Sequence, residues 1–387
     1  MWVCVVVAAL GVESYEAYVA RAFLDRPVPE LAAALDRLGV KALQLDDVLP
    51  LTVANSAFLD SICKADEQPS QRIVPPSSDA RIAVPLLVQL VREWSAHGHA
   101  QRAQAFSPIV EVLRDHLAGM PRPRVVVPGS GLGRLVHDIA EALALARPEL
   151  VAVEADVHAQ HVARHILEPA DSAGSGGTAC NSGDAAVRRA TERSSCLGGA
   201  HAVIYPALHI ATGWANVSDR LVGLRLPDIS MARRRQVQEQ AIVQLVIGRF
   251  PDALAPEALP PPMASGDDTS FDAAATSFFM DVAADPLHVV ASIHALLVAR
   301  HGLWVNVGPA AYPDAPNEAL GGPNLAPALS MTQLLSLVRD GGRFDVLEER
   351  AIPCEYGGLP YRLERTERQC LFFVARARPP TLEDSLS

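Results

Sequence analysis

The sequence is poor in several things that would classify it at once. It lacks paired cysteines: Cys4, Cys63, Cys180, Cys196, Cys354 and Cys370 form no CxxC and no metal-type spacing. That argues against a zinc module and a disulfide framework, and suits a reducing compartment where thiols act as small core residues. It lacks long hydrophobic runs. The opening MWVCVVVAALGVES is apolar but has no basic segment before it. It is shorter than the roughly twenty residues needed to cross a bilayer. We read it as a buried strand or helix and expect a soluble, non-membrane, cytoplasmic protein, with the nucleus left open. It lacks an excess of positive charge: the net charge is −11 over 387 residues, against nucleic-acid binding. Finally, it carries no G-x-S-x-G, H-E-x-x-H or P-loop.

What is present is a large apolar content. Hydrophobic residues make up 49% and charged residues 20%, enough for a sizeable core in one or two domains. Residues 14–64 show helical spacing in SYEAYVARAFL, PELAAALDRLG and NSAFLDSIC, and 80–117 read as two helical patterns parted near Gly98. Residues 1–120 are thus expected to be a helical N-terminal region. Residues 121–380 are expected to be a second domain of alternating strands and helices, interrupted by a disordered small-residue insertion at 168–200. The stretch 271–284 reads as a buried strand ending in Asp281, and RFDVLEERAIP and RQCLFFVARAR as a final antiparallel pair. The expected fold is α/β, a Rossmann-like doubly wound seven-stranded sheet of the class I methyltransferase type with an N-terminal helical extension.

The most informative stretch is VVVPGSGLGR, residues 125–134, a strand running into Gly129, Gly131 and Gly133. Glycines let a ligand touch the main chain, and a helix starting there presents N–H groups and a positive dipole end. The dinucleotide fingerprint wants a small residue where this chain has Arg134, which disfavours NAD and FAD. G-x-G-x-G followed by a strand ending in an acid is the arrangement used for S-adenosyl-L-methionine. LVAVEAD supplies Glu154 to take the ribose hydroxyls, with Asp156 in reserve.

REWSAHGHAQRAQAFSPIVEVL, VVVPGSGLGRLVHDIA, YPALH…RLPDI, ATSFFMDVAA, GLWVNVGPAAY and CLFFVARARP occur in one order. In these motifs the chain resembles the carnosine N-methyltransferases over most of residues 80–380. The resemblance implies methyl transfer from S-adenosyl-L-methionine to an imidazole nitrogen of a carnosine-like small molecule. It implies that Arg102 clasps the cofactor's carboxylate, that Gly129, Gly131 and Gly133 line its methionine portion, and that Glu154 takes its ribose. Asp267 would meet the adenine amino group, and Ser277 would stand near the cofactor at the carboxyl edge of the sheet. Asp281 would hold the substrate imidazole. Helix N-capping ahead of residue 286 is a further role open to that aspartate.

The substrate side departs from the family. Tyr312 is kept, but Pro313 stands where the family has a histidine proposed to assist proton removal, and Asp314 is the nearest ionisable side chain. Tyrosines expected before the last strand are replaced by ERTERQC, leaving Tyr356 and Tyr361 as the nearest aromatics. Two other readings stand beside the enzyme: a cofactor-binding partner subunit without catalysis, and a protein-histidine methyltransferase. A homodimer is left open. His158, His161 and His165 share a helical face without a completing ligand, so no metal is expected. Arg233, Arg234 and Arg235 are expected to form a surface cluster.

Overall fold

The computed structural model describes residues 13–24, 45–64, 74–167, 202–210, 213–254, 269–283, 285–309 and 329–379. The 168–200 stretch, the opening apolar run, Asp267, Tyr312 and Asp314 lie outside the described residues. The chain divides into two compact units. The first comprises residues 1–99, 164–233 and 357–366, and the second 100–163, 234–356 and 367–387. No described helix is long and apolar enough to cross a membrane.

Nine strands are found among the described residues: β1 (Arg124–Pro128), β2 (Glu149–Glu154), β3 (Ala202–Ile204), β4 (Leu224–Leu226), β5 (Ile242–Ile247), β6 (Ala273–Ser277), β7 (Leu303–Gly308), β8 (Phe344–Glu355) and β9 (Glu367–Ala377). In the first unit β3 and β4 pair antiparallel, beside helices Tyr15–Leu24, Leu45–Lys64 and Ala80–Trp94. Asp79 starts the last of these by accepting from Arg81 N, an N-cap that satisfies an otherwise orphaned donor. Asn55 ties the middle helix to the chain after β3. Its Nδ2 donates to the Tyr205 carbonyl at 2.8 Å, and its Oδ1 accepts from Tyr205 N at 2.9 Å.

The second unit holds one seven-stranded sheet in the order β5-β2-β1-β6-β7-β9-β8. The first five are parallel, while β9 runs antiparallel to β7 and β8 antiparallel to β9. The expected doubly wound class I methyltransferase sheet with its final antiparallel pair is therefore present. Chain order reverses between β1 and β6. Their pairing is Val125↔Ala273 and Val126↔Ala274, so the ladder stops short of the carboxyl ends and leaves a crevice there, the usual ligand position in such sheets. Alternate strand residues feed two cores. Val125, Val127, Ala273 and Ala275 face one with Ile139 and Phe372; Val126 and Ala274 face the other with Ile293 and Phe373.

A buried polar chain pins the carboxyl end of β6. Trp304 Nε1 donates to Thr276 Oγ1, Thr276 Oγ1 to Asn306 Oδ1, and Asn306 Nδ2 to the Leu371 carbonyl, each at 2.9 Å. Every member is satisfied, which makes the chain a fixed spacer across β6, β7 and β9.

Three expectations are corrected. The strand does not run on to Asp281. It stops at Ser277, because Phe278, whose N–H makes the last ladder bond to the Val307 carbonyl at 2.9 Å, turns into the left-handed region with φ 51°. The N-cap of helix Pro286–Leu297 is Asp285, which accepts from His288 N, not Asp281. The arginine cluster is not all surface: Arg234 is buried at 2% exposure, and burial is the first cause lowering its pKa.

His209, in the first unit, is buried, and its two ring nitrogens meet no hydrogen-bond partner among the described residues. Burial, followed by the charges of Arg220 and Arg362, pushes its pKa down to about 3. The unfolded chain then binds more protons between that value and the ordinary imidazole pKa of about 6.5. Its contribution is thus fully present above about 6.5 and lost as pH falls toward 3. We expect His209→Gln to flatten the acid side of the stability profile in urea titrations at several pH values. An unchanged slope between pH 7 and 4.5 would contradict this.

Candidate active site at the sheet switch point

The loop leaving β1 is built by backbone that only glycine adopts freely. Gly129, Gly131 and Gly133 have φ of 65°, 56° and 82°. Pro128 ends the strand without a donor, and Gly129 N and Ser130 N both turn to the Val153 carbonyl, at 2.8 and 3.1 Å. Gly133 is the N-cap of helix Arg134–Ala142 and supplies no side-chain cap, so the loop presents bare main chain at a helix start. Arg134 is held by Asp138 at 2.7 Å.

Glu154 reaches this loop from the end of β2. Its Oε2 accepts from Gly131 N and its Oε1 from Asp156 N, both at 2.9 Å. The chain past β6 closes the other side: a Cβ on Gly129 would lie 2.5 Å from Phe279 Cδ2. The switch point thus brings together Gly129, Gly131, Gly133 and Glu154, with the 277–281 turn following β6 at the same edge. Among the described residues, neither Ser130 Oγ nor Ser277 Oγ, both buried there, meets a hydrogen-bond partner. Two orphaned hydroxyls beside bare backbone and a carboxylate are the donor set a polar nucleoside with an amino-acid tail requires, so the residues present fit S-adenosyl-L-methionine.

Arg102 is buried at 4% exposure on the short helix His99–Ala105. That helix is tied to the end of β8 through Glu355 N, which donates to Gln104 Oε1 at 2.6 Å. Asp156 caps helix Val157–Leu167 by accepting from His158 N at 2.8 Å. Burial works to raise its pKa, but hydrogen bonds from His158 and from the backbone outweigh it and the net shift is downward. Asp156 is therefore a structural cap beside Glu154.

Sequence reasoning missed the surroundings of Asp281. Phe278 stacks on Tyr356 with ring centroids 5.2 Å apart and 27° between planes, and the Arg368 guanidinium lies 5.0 Å over the other ring of that pair, Tyr356. Tyr361 is 60% exposed and takes no part in this stack. Cys354 and Cys370 are buried free thiols that share a hydrogen bond. That bond first, then burial, then the charges of Cys354 and Asp281, push the Cys370 thiol up, with Arg368 opposing. The aromatic signal at Tyr356 was visible in the sequence; its partners, brought in across β6, β8 and β9, were not.

His137, Asp138 and Glu141 are a described trio whose ligand atoms fall within 4.8 Å of one another. Asp138 already serves Arg134 there. Its burial favours the neutral acid, yet hydrogen bonds from His137 and Arg134 lower its pKa overall. Of the three histidines on Val157–Leu167, His158 reaches Asp156 at 3.4 Å.

A profile for carnosine N-methyltransferase matches residues 69–174 and 195–379, well over half of the chain. The chain is 26% identical over 354 residues to the carnosine N-methyltransferase of Dictyostelium discoideum, covering 85% of this chain and 66% of that protein. It is 22% identical over 300 residues to the carnosine N-methyltransferase unmet of Drosophila melanogaster, covering 76% and 55%. It is 22% identical over 364 residues to the carnosine N-methyltransferase of Rattus norvegicus, covering 90% and 76%. The chain thus spans less than two thirds of the first two relatives' lengths.

Gly129→Ala should destabilise the second unit by about 1–3 kcal/mol through left-handed strain, plus its clash with Phe279. Adding Phe279→Ala should relieve the clash and leave the strain. Denaturant unfolding of the single and double variants measures both; a Gly129→Ala protein as stable as wild type would contradict the loop geometry.

Proposed function

The chain belongs to the carnosine N-methyltransferase family, and on that premise we propose that it methylates an imidazole nitrogen of carnosine or a related histidine-containing small molecule. The observation that carries this reading is the switch-point cradle, in which three left-handed glycines, Glu154 and two orphaned serine hydroxyls lie beside the turn that carries Asp281. S-adenosyl-L-methionine, when bound, supplies an electrophilic methyl group on a sulfonium.

The chain's own residues would hold and aim the partners. Gly129, Gly131 and Gly133 would admit the methionine portion to the backbone, Glu154 the ribose hydroxyls, and Ser277 the cofactor's near edge. A buried guanidinium at Arg102 suits the carboxylate of the amino-acid tail. Asp267 is assigned the adenine amino group. At Asp281 a carboxylate would accept the imidazole N–H, fixing the tautomer so that the opposite nitrogen keeps its lone pair for attack. Neutral imidazole predominates above about pH 6.5; aiming, more than deprotonation, is then the main task. The ring proton displaced after transfer would pass to Asp281. Tyr312 is assigned to the substrate side, and Asp314 stands nearest to the place of the family's histidine as a second proton acceptor. The buried free thiols Cys354 and Cys370 suit a cytoplasmic or nuclear setting.

Transfer of labelled methyl to carnosine, histidine and histidine-containing peptides tests the reading. Asp281→Ala should lower kcat/KM about 100-fold or more while leaving cofactor affinity within about twofold. Full turnover by that variant on every acceptor would remove Asp281 from the mechanism. Transfer to none of the acceptors by wild type would overturn the proposed activity.

A further inference from the structure

The stack of Phe278 on Tyr356 ends in a cation, Arg368, that makes no ion pair among the described residues. Arg368 makes no ion pair and no side-chain hydrogen bond among the described residues, and its Nε is buried without an acceptor. It is not a flexible surface arginine. Its guanidinium lies 5.0 Å over the Tyr356 ring, and Tyr356 is itself stacked on Phe278, three residues before Asp281. On the sheet, Arg368 pairs with Cys354 in the β8–β9 register. Cys370, two residues on, feels the charges of both Asp281 and Arg368. One carboxylate and one guanidinium therefore stand around the same thiol pair.

A guanidinium nitrogen withdrawn from water without an acceptor is costly. The cost is recovered when an anion arrives, because charge-assisted hydrogen bonds to a carboxylate are short, strong and, for arginine, bidentate. The Tyr356 face holds the guanidinium in place beforehand.

Resting on the proposed methyl transfer, we propose that Arg368 anchors a carboxylate on the methyl acceptor, so that the acceptor is an imidazole that also bears an acid group, held at one end by Asp281 and at the other by Arg368. The consequence is selectivity. An acceptor that keeps its imidazole but lacks the acid leaves the buried Nε of Arg368 unmet and is rejected; a neutral aromatic wall would tolerate both.

Two matched pairs test this: L-carnosine against β-alanylhistamine, and L-histidine against histamine. Each is titrated calorimetrically into the full chain in the presence of S-adenosylhomocysteine, and each is assayed for methyl transfer. The acid of at least one pair should bind about 10- to 100-fold more tightly than its decarboxylated partner. Arg368→Met should abolish that preference, and Arg368→Lys should keep part of it, as a point charge without the fork. Thermal unfolding of each variant establishes that it folds. If Arg368→Met does not, Arg368→Lys and the wild-type preference carry the test. Equal affinities within both pairs, or a preference that survives Arg368→Met, overturns the anchor. Preferential binding of the acids with no methyl transferred leaves the anchor standing and removes the enzymatic reading. No binding of any of the four removes both.

Discussion

The whole site depends on the chain turning left-handed at both lips of one crevice. Gly129, Gly131 and Gly133 do so after β1, and Phe278 does so after β6. At the glycines the conformation costs little, because there is no Cβ to collide with the preceding carbonyl. At Phe278 it costs about 1–3 kcal/mol, and the surrounding structure must hold it. The hydrogen bond to the Val307 carbonyl, the Tyr356 ring and the Thr276–Trp304–Asn306 chain directly before it supply that restraint. The strain takes the chain out of the sheet at Ser277 and carries the next four residues to the crevice, ending at Asp281.

From that constraint the chemistry of the two walls follows. On the glycine side the ligands are backbone and carboxylate: glycines without side chains, a helix start, and Glu154 already engaged with Gly131 N. This is a rigid surface suited to a ligand whose shape does not vary. On the β6 side the groups are side chains carried by three strands: Asp281 past β6, Tyr356 past β8 and Arg368 on β9. Phe278, Tyr356 and Arg368 meet there through ring stacking and a guanidinium laid over the Tyr356 ring. A wall assembled this way can be altered residue by residue without disturbing the cofactor cradle.

Much of the first wall was legible in the sequence, because its determinants are local. A β-branched run, alternate glycines, an amphipathic helix and an acid at the end of the next strand are consecutive, and each falls where expected. The final antiparallel strands were legible for the same reason. The second wall was not. FFMDVAA is apolar enough to continue a strand, and composition carries no sign that Phe278 would take a positive φ, which is imposed by β7 and by the ring of a residue 78 positions away. Arg234 looked like a third surface arginine in a row; burial on its helix is decided by packing, not by its neighbours in sequence. Arg368 looked like one charge in a polar run, and only the β8–β9 pairing sets it over Tyr356.

The central claim is that the switch-point backbone accepts a sulfonium nucleoside directly. Calorimetric titration of the purified chain with S-adenosyl-L-methionine tests it most simply. The account predicts saturable one-to-one binding that weakens sharply in Gly131→Val, where a side chain would fill the cradle. An isotherm without saturation up to millimolar cofactor, or one indifferent to that substitution, would contradict it.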